Sequence, residues 1–71
     1  MDRVPVSSST LASVGYDPDT ATLEVEFHNG SIYQVFTLPD QVFQGLLAAP
    51  SKGSYYHHHI RKAGYPYAKI A

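Results

Sequence analysis

The residues best suited to chemistry lie in the last third of the chain. Lys52, Arg61, Lys62 and Lys69 stand there among His57, His58, His59 and the tyrosines Tyr55, Tyr56, Tyr65 and Tyr67. No acid interrupts residues 51–71, so the segment carries +4. Residues 1–50 hold all six acids and a single base, Arg3, and carry −5. The whole-chain charge of −1 hides this division. Cations interleaved with tyrosines suit a single-stranded nucleic acid. The cations follow phosphates, and each base stacked on an aromatic ring gives about 1–3 kcal/mol. Lys52, Arg61 and Lys62 are the phosphate candidates, and Tyr33, Tyr55 and Tyr65 the stacking candidates. A helix starting near Ser51 would add free backbone N–H groups for an anion. It would also set His58 beside Lys62 and His57 beside Arg61.

Other constellations carry less. Adjacent residues on a helix point about 100° apart, so His57, His58 and His59 cannot converge on one ion. The remaining histidine, His28, falls at a hairpin tip. No metal is expected. Glu24 and Glu26 share one strand face. As an acid–base pair they would need a cleft and one raised carboxyl. They read instead as solvated acids that keep a sheet face soluble. Lys52-Gly53-Ser54 is too short for a phosphate loop. The chain has no cysteine, which excludes disulfides and zinc–thiolate sites. No catalytic set and no cofactor is expected.

These residues need a scaffold, and the pattern supplies one. Leu, Ile, Val and Phe make 24% of the 71 residues, above the roughly 20% below which disorder is the default. Residues 1–7 read as a lead-in and 8–71 as a single domain. Thr10 to Tyr16 reads as a strand, closed by the turn Asp17-Pro18-Asp19-Thr20. Leu23, Val25 and Phe27 alternate with Glu24 and Glu26, the period of a half-buried strand. Asn29-Gly30 then signals a two-residue hairpin turn, with Ser31 to Thr37 returning. That turn pairs Phe27 with Ile32, Glu26 with Tyr33 and Val25 with Gln34. Ile32 and Phe36 then face the core, with Gln34 a misfit among them. Tyr33 and Val35 fall on an outer face with the glutamates.

Leu38-Pro39 ends the sheet. Val42, Phe43, Leu46 and Leu47 form the apolar stripe of a first helix that Pro50 closes. Ser51 caps a second helix running to about Lys62, with Gly64 as its stop and Tyr56 and Ile60 facing the core. The expected fold is α+β: a three-stranded antiparallel meander, two helices packed on one face, and a short C-terminal strand between Tyr65 and Ile70. No apolar run is long enough to span a bilayer and no signal-peptide core follows Met1, so a soluble cytoplasmic domain is expected.

One ordered series of residues resembles a known family. It runs Ser8, Val14-Gly15-Tyr16-Asp17, Leu23-x-Val25-x-Phe27-x-x-Gly30-x-x-Tyr33 and Leu38-Pro39. It continues Leu46-Leu47-Ala48-Ala49-Pro50-Ser51-Lys52-Gly53, Tyr55-Tyr56, His59-Ile60-Arg61 and Tyr65-Pro66. The series is similar to the KTSC domain over about residues 7–69. That family takes its name from a C-terminal appendage of some lysyl-tRNA synthetases. The resemblance implies an RNA connection and adds His59 to Lys52, Arg61 and Tyr33 as site residues. It also implies a Tyr-x-Tyr pair, of which Tyr33 is present and Val35 replaces the second ring. The reading is a small non-catalytic module for RNA or another single-stranded nucleic acid. The alternative is a protein-interaction module using the outer sheet face and an edge strand.

Overall fold

Alternating apolar and polar residues build a five-stranded antiparallel sheet in the computed structural model, which describes residues 1–71. The strands are β1 (Val4–Pro5), β2 (Leu11–Asp17), β3 (Thr22–Phe27), β4 (Ile32–Val35) and β5 (Tyr67–Lys69). They lie side by side in chain order. Helix α1 (Asp40–Ala48) and helix α2 (Lys52–Tyr55) sit between β4 and β5 in the chain. A π-helical turn, Tyr56–Arg61, continues α2 without a break. The α+β class and the two helices agree with the sequence reading. The three-strand meander was an undercount. The edge strand β1 was missed because two residues are too short to show a period, and β5 is the expected C-terminal strand, which joins the sheet at its other edge. The segment after Gly64 does return along the sheet edge, pairing Tyr33 with Lys69 and Val35 with Tyr67.

The β3–β4 hairpin closes differently from the expected two-residue turn. Phe27 N–H donates to the Ser31 carbonyl at 2.9 Å, and Gly30 N–H donates back to the Phe27 carbonyl at 3.0 Å. Three residues therefore form the loop, and only Gly30 takes a positive φ there, +90°. A type I turn followed by a left-handed glycine has this pattern. The Asn29 carboxamide fixes it by accepting from Ser31 N–H at 2.9 Å. Every pair across the hairpin shifts by one: Glu26 faces Ile32, Val25 faces Tyr33, Glu24 faces Gln34 and Leu23 faces Val35. A one-residue slip exchanges the faces of the whole strand. Tyr33 and Val35 thus lie on the helix side, and Ile32 and Gln34 on the outer side. Gln34 is no longer a misfit. The outer face thus exchanges Tyr33 and Val35 for Ile32 and Gln34.

A polar chain covers that outer face. Arg3 forms an ion pair with Glu24 and donates to Ser13 Oγ at 3.0 Å. Ser13 donates to Glu26 at 2.8 Å, and Gln34 donates to the second Glu24 oxygen at 2.9 Å. Glu24 is only 7% exposed. Its carboxyl is held below the usual value, first by the Gln34 amide and then by the Arg3 guanidinium, against the opposing pull of burial. Gly15 is what lets the lead-in lie here. A Cβ at that position would stand 2.5 Å from the Asp2 carbonyl oxygen.

The core forms on the opposite face from Leu11, Val14, Leu23, Val25, Val35, Leu38, Leu46 and Ile60, all buried. Helix α1 contributes Leu46 fully and Val42 and Phe43 in part, but Leu47 is 37% exposed and leaves the expected stripe. Tyr16 stacks on Phe43 with ring centroids 5.0 Å apart and donates its hydroxyl to the Leu38 carbonyl. No helix is long and apolar enough to cross a membrane.

The depressed Glu24 pKa fixes the sign of an acid effect. The folded state takes up this proton at lower pH than the unfolded chain. The contribution to stability is complete above about pH 4.5 and is lost as pH falls through the folded value. Arg3→Ala should therefore cost about 1–2 kcal/mol at pH 7 in urea denaturation. The gap between variant and parent should close as pH falls through the lowered Glu24 value. A gap that stays constant across that range would show that the ion pair is not its origin.

Candidate functional site

The helix side of the sheet is not fully covered. A groove of about 370 Å³ opens between β3, β4 and β5 on one side and the π turn on the other. Phe27, Tyr33 and Val35 come from the sheet, and Tyr56, Ile60 and Arg61 from the π turn. Tyr65 and Tyr67 close one rim; Asn29 and Ser31 of the hairpin loop lie at the other end. Phe27 meets Tyr33 and Tyr56 edge-to-face, at centroid distances of 5.7 and 5.4 Å. Tyr33 lies 6.1 Å from Tyr67. Such pairs are worth about 0.5–1.5 kcal/mol each beyond buried area, so the aromatic lining is held in place.

The π turn decides which side chains reach the groove. Lys62 N–H donates to the His57 carbonyl at 3.1 Å, the five-residue step of a π-helix. In an α-helix, Arg61 would be rotated about 140° from Tyr56. The wider turn brings it back toward the line of Tyr56, and both border the groove. Ile60, one residue earlier, anchors the turn in the core at 1% exposure.

The electrostatics of this side are those of an unopposed cation. The only ion pair in the molecule is Arg3–Glu24, on the far face of the sheet. Asp17 and Asp19 sit in and beside the β2–β3 turn, at the end of the sheet away from the hairpin. Asp40, at the start of α1, joins Asp17 in raising the Tyr16 phenol, though burial is the larger cause. Arg61 is exposed and has no carboxylate partner. Lys69 lies opposite Tyr33 in register, hence on the same sheet face. The Tyr56 phenol is pushed above its ordinary value. Burial is the main cause, Arg61 pulls the other way, and the Tyr33 and Tyr67 phenols add to the rise. Tyr56 therefore stays protonated around neutral pH and can donate a hydrogen bond.

The structure brings three of the seven sequence-derived site residues into the groove: Tyr33, Arg61 and Tyr65. Lys62 is exposed just beyond it. Lys52, Tyr55 and His59 are elsewhere. Lys52 donates to the Ala49 carbonyl at 3.1 Å, satisfying an acceptor left at the end of α1. Tyr55 donates to the Val42 carbonyl at 3.0 Å and its ring fills the space left by the absent side chain of Gly45. His59 lies on Tyr55, with ring centroids 4.5 Å apart. Ser51 caps α2 as expected, accepting from Ser54 N–H at 3.4 Å. The sequence reading missed Phe27, Tyr56 and Tyr67 as site residues. By spacing, Phe27 and Tyr56 read as core residues, and both do pack against the core. The alternation Tyr65, Tyr67, Lys69 was the available signal for Tyr67.

Comparison with known proteins covers nearly the whole chain. The family model described as the KTSC domain matches residues 7–65. A small protein of Stutzerimonas stutzeri is 41% identical over 70 residues, spanning 99% of each chain. A lysine–tRNA ligase of Nostoc is 45% identical over 53 residues, which make up 75% of this chain and 9% of that protein. The crystal structure of a KTSC domain protein from Yersinia pestis superposes with a TM-score of 0.89 at 39% identity, covering 99% of this chain and 97% of that one.

The roles of Tyr55 and Arg61 can be separated. Tyr55→Phe removes the bond to the Val42 carbonyl and should lower stability by about 0.5–1.5 kcal/mol. Arg61→Gln, at an exposed and unpaired site, should change stability by less than about 0.5 kcal/mol. Thermal denaturation of both variants checks this. A larger loss for Arg61→Gln would make it a structural residue.

Proposed function

The chain belongs to the KTSC domain family, and from that premise we propose that it is a small non-catalytic cytoplasmic module that binds single-stranded RNA through the aromatic groove. The observation that carries this reading is the placement of Arg61, unpaired, among tyrosine and phenylalanine rings on the side of the sheet away from Glu24 and Glu26. Base stacking is tolerant of sequence because every base offers a π-face, and cations beside the rings follow the backbone. Arg61, Lys62 and Lys69 are the cations for the backbone. Tyr33, Tyr56, Tyr65 and Tyr67 are the rings available to a base. Lys52, Tyr55 and His59 have no part in it, since α1 and α2 already use them. RNA is favoured over DNA because a matching segment occurs in lysine–tRNA ligases, whose name includes an RNA.

Fluorescence anisotropy of a labelled uridine decamer tests the reading. Three phosphate contacts on a single strand predict a log–log salt slope of about −2. Arg61→Gln should weaken binding and reduce the slope by about 0.7. Absence of binding at about 100 µM protein, roughly −5.5 kcal/mol, would overturn the reading. Capture of a protein that persists at high salt would favour the interaction-module alternative in its place.

A further inference from the structure

The RNA reading leaves open what the groove itself holds, and the inference here rests on it. We propose that the groove is a single-nucleotide site, in which one base lies against the Tyr33 and Tyr56 walls and its phosphate meets Arg61. Size is the first argument. At about 370 Å³ the groove falls at the small end of ligand sites, which run about 300–1,000 Å³. It suits one nucleotide and is short for a row of stacked bases. Ring geometry is the second. Phe27 stands nearly perpendicular to both Tyr33 and Tyr56, at 87° and 81°. Both tyrosines are thus turned off the plane of Phe27, so the lining is angled, whereas a flat platform would carry several bases. Charge is the third. Arg61 is the one lysine or arginine bordering the groove, so the groove matches one phosphate. A guanidinium can grip that phosphate with two parallel N–H bonds. The protonated Tyr56 phenol, at the start of the same π turn, is a second donor on the groove wall. Lys62 and Lys69 lie outside the groove lining and are left for neighbouring phosphates of a longer strand.

A mononucleotide should then hold most of the site, and extra length should add only salt-sensitive attraction. The test displaces the labelled uridine decamer from the full chain with uridine 5′-monophosphate, uridine or inorganic phosphate. Uridine monophosphate should compete; uridine should compete at least about tenfold less well for want of the charge-assisted contact, and phosphate about tenfold less well for want of the stacked base. Arg61→Gln should erase the difference between uridine monophosphate and uridine, with the circular dichroism spectrum unchanged. Tyr67→Ala, at a ring 68% exposed, is a second variant that should fold and weaken all base-containing competitors. If the decamer binds but about 10 mM uridine monophosphate fails to displace it, the single-nucleotide site is overturned and the RNA reading survives. If the monophosphate binds directly and the decamer does not, the site stands and the RNA reading falls. If neither binds, both fall.

Discussion

Gly30 holds a φ of +90°, and that one dihedral settles which side of the sheet each residue of β4 faces. With a three-residue loop, Val25 pairs with Tyr33 and Glu24 with Gln34. The helix side then receives Tyr33 and Val35, and the outer side receives an amide that fits beside a carboxylate. Slipping the register by one would bury Gln34 among leucines and leave Tyr33 beside the glutamates. Both sheet faces therefore rest on the same turn. The polar chain from Arg3 to Gln34 and the aromatic groove are two readouts of one register.

The two faces also divide the charge. The acids in the middle of the sheet are taken up by Arg3, Ser13 and Gln34. The cations of the C-terminal third find no carboxylate at all. A chain that is nearly neutral overall can thus hold a local positive field around Arg61 and Lys69. Such a field raises the local concentration of an anionic partner without making the whole protein basic.

Much of the fold was legible because it is written in periods. β2, β3, α1 and the Ser51 cap each show a pattern of at least one full repeat, or a residue type with a single local use. The first edge strand was not, since two residues cannot show a period, whereas the last was read from the segment after Gly64. The hairpin register was misread because Asn29-Gly30 serves both a two-residue turn and a three-residue turn with glycine last. Gln34 on the supposed core face was the clue that the shorter turn was wrong. In the site, Tyr33, Arg61 and Tyr65 could be picked out by type, but their meeting depends on the π turn, which side-chain spacing read as α-helical does not reveal. Lys52 and Tyr55 looked like ligand residues because a lysine amine and a tyrosine hydroxyl look alike whether they bind a partner or a backbone carbonyl of their own chain.

Asp2 and Arg3 lie over Gly15 on the outer face, so the polypeptide enters this fold from the side opposite the groove. The lead-in and the groove thus use opposite faces of one sheet, and neither crosses the other.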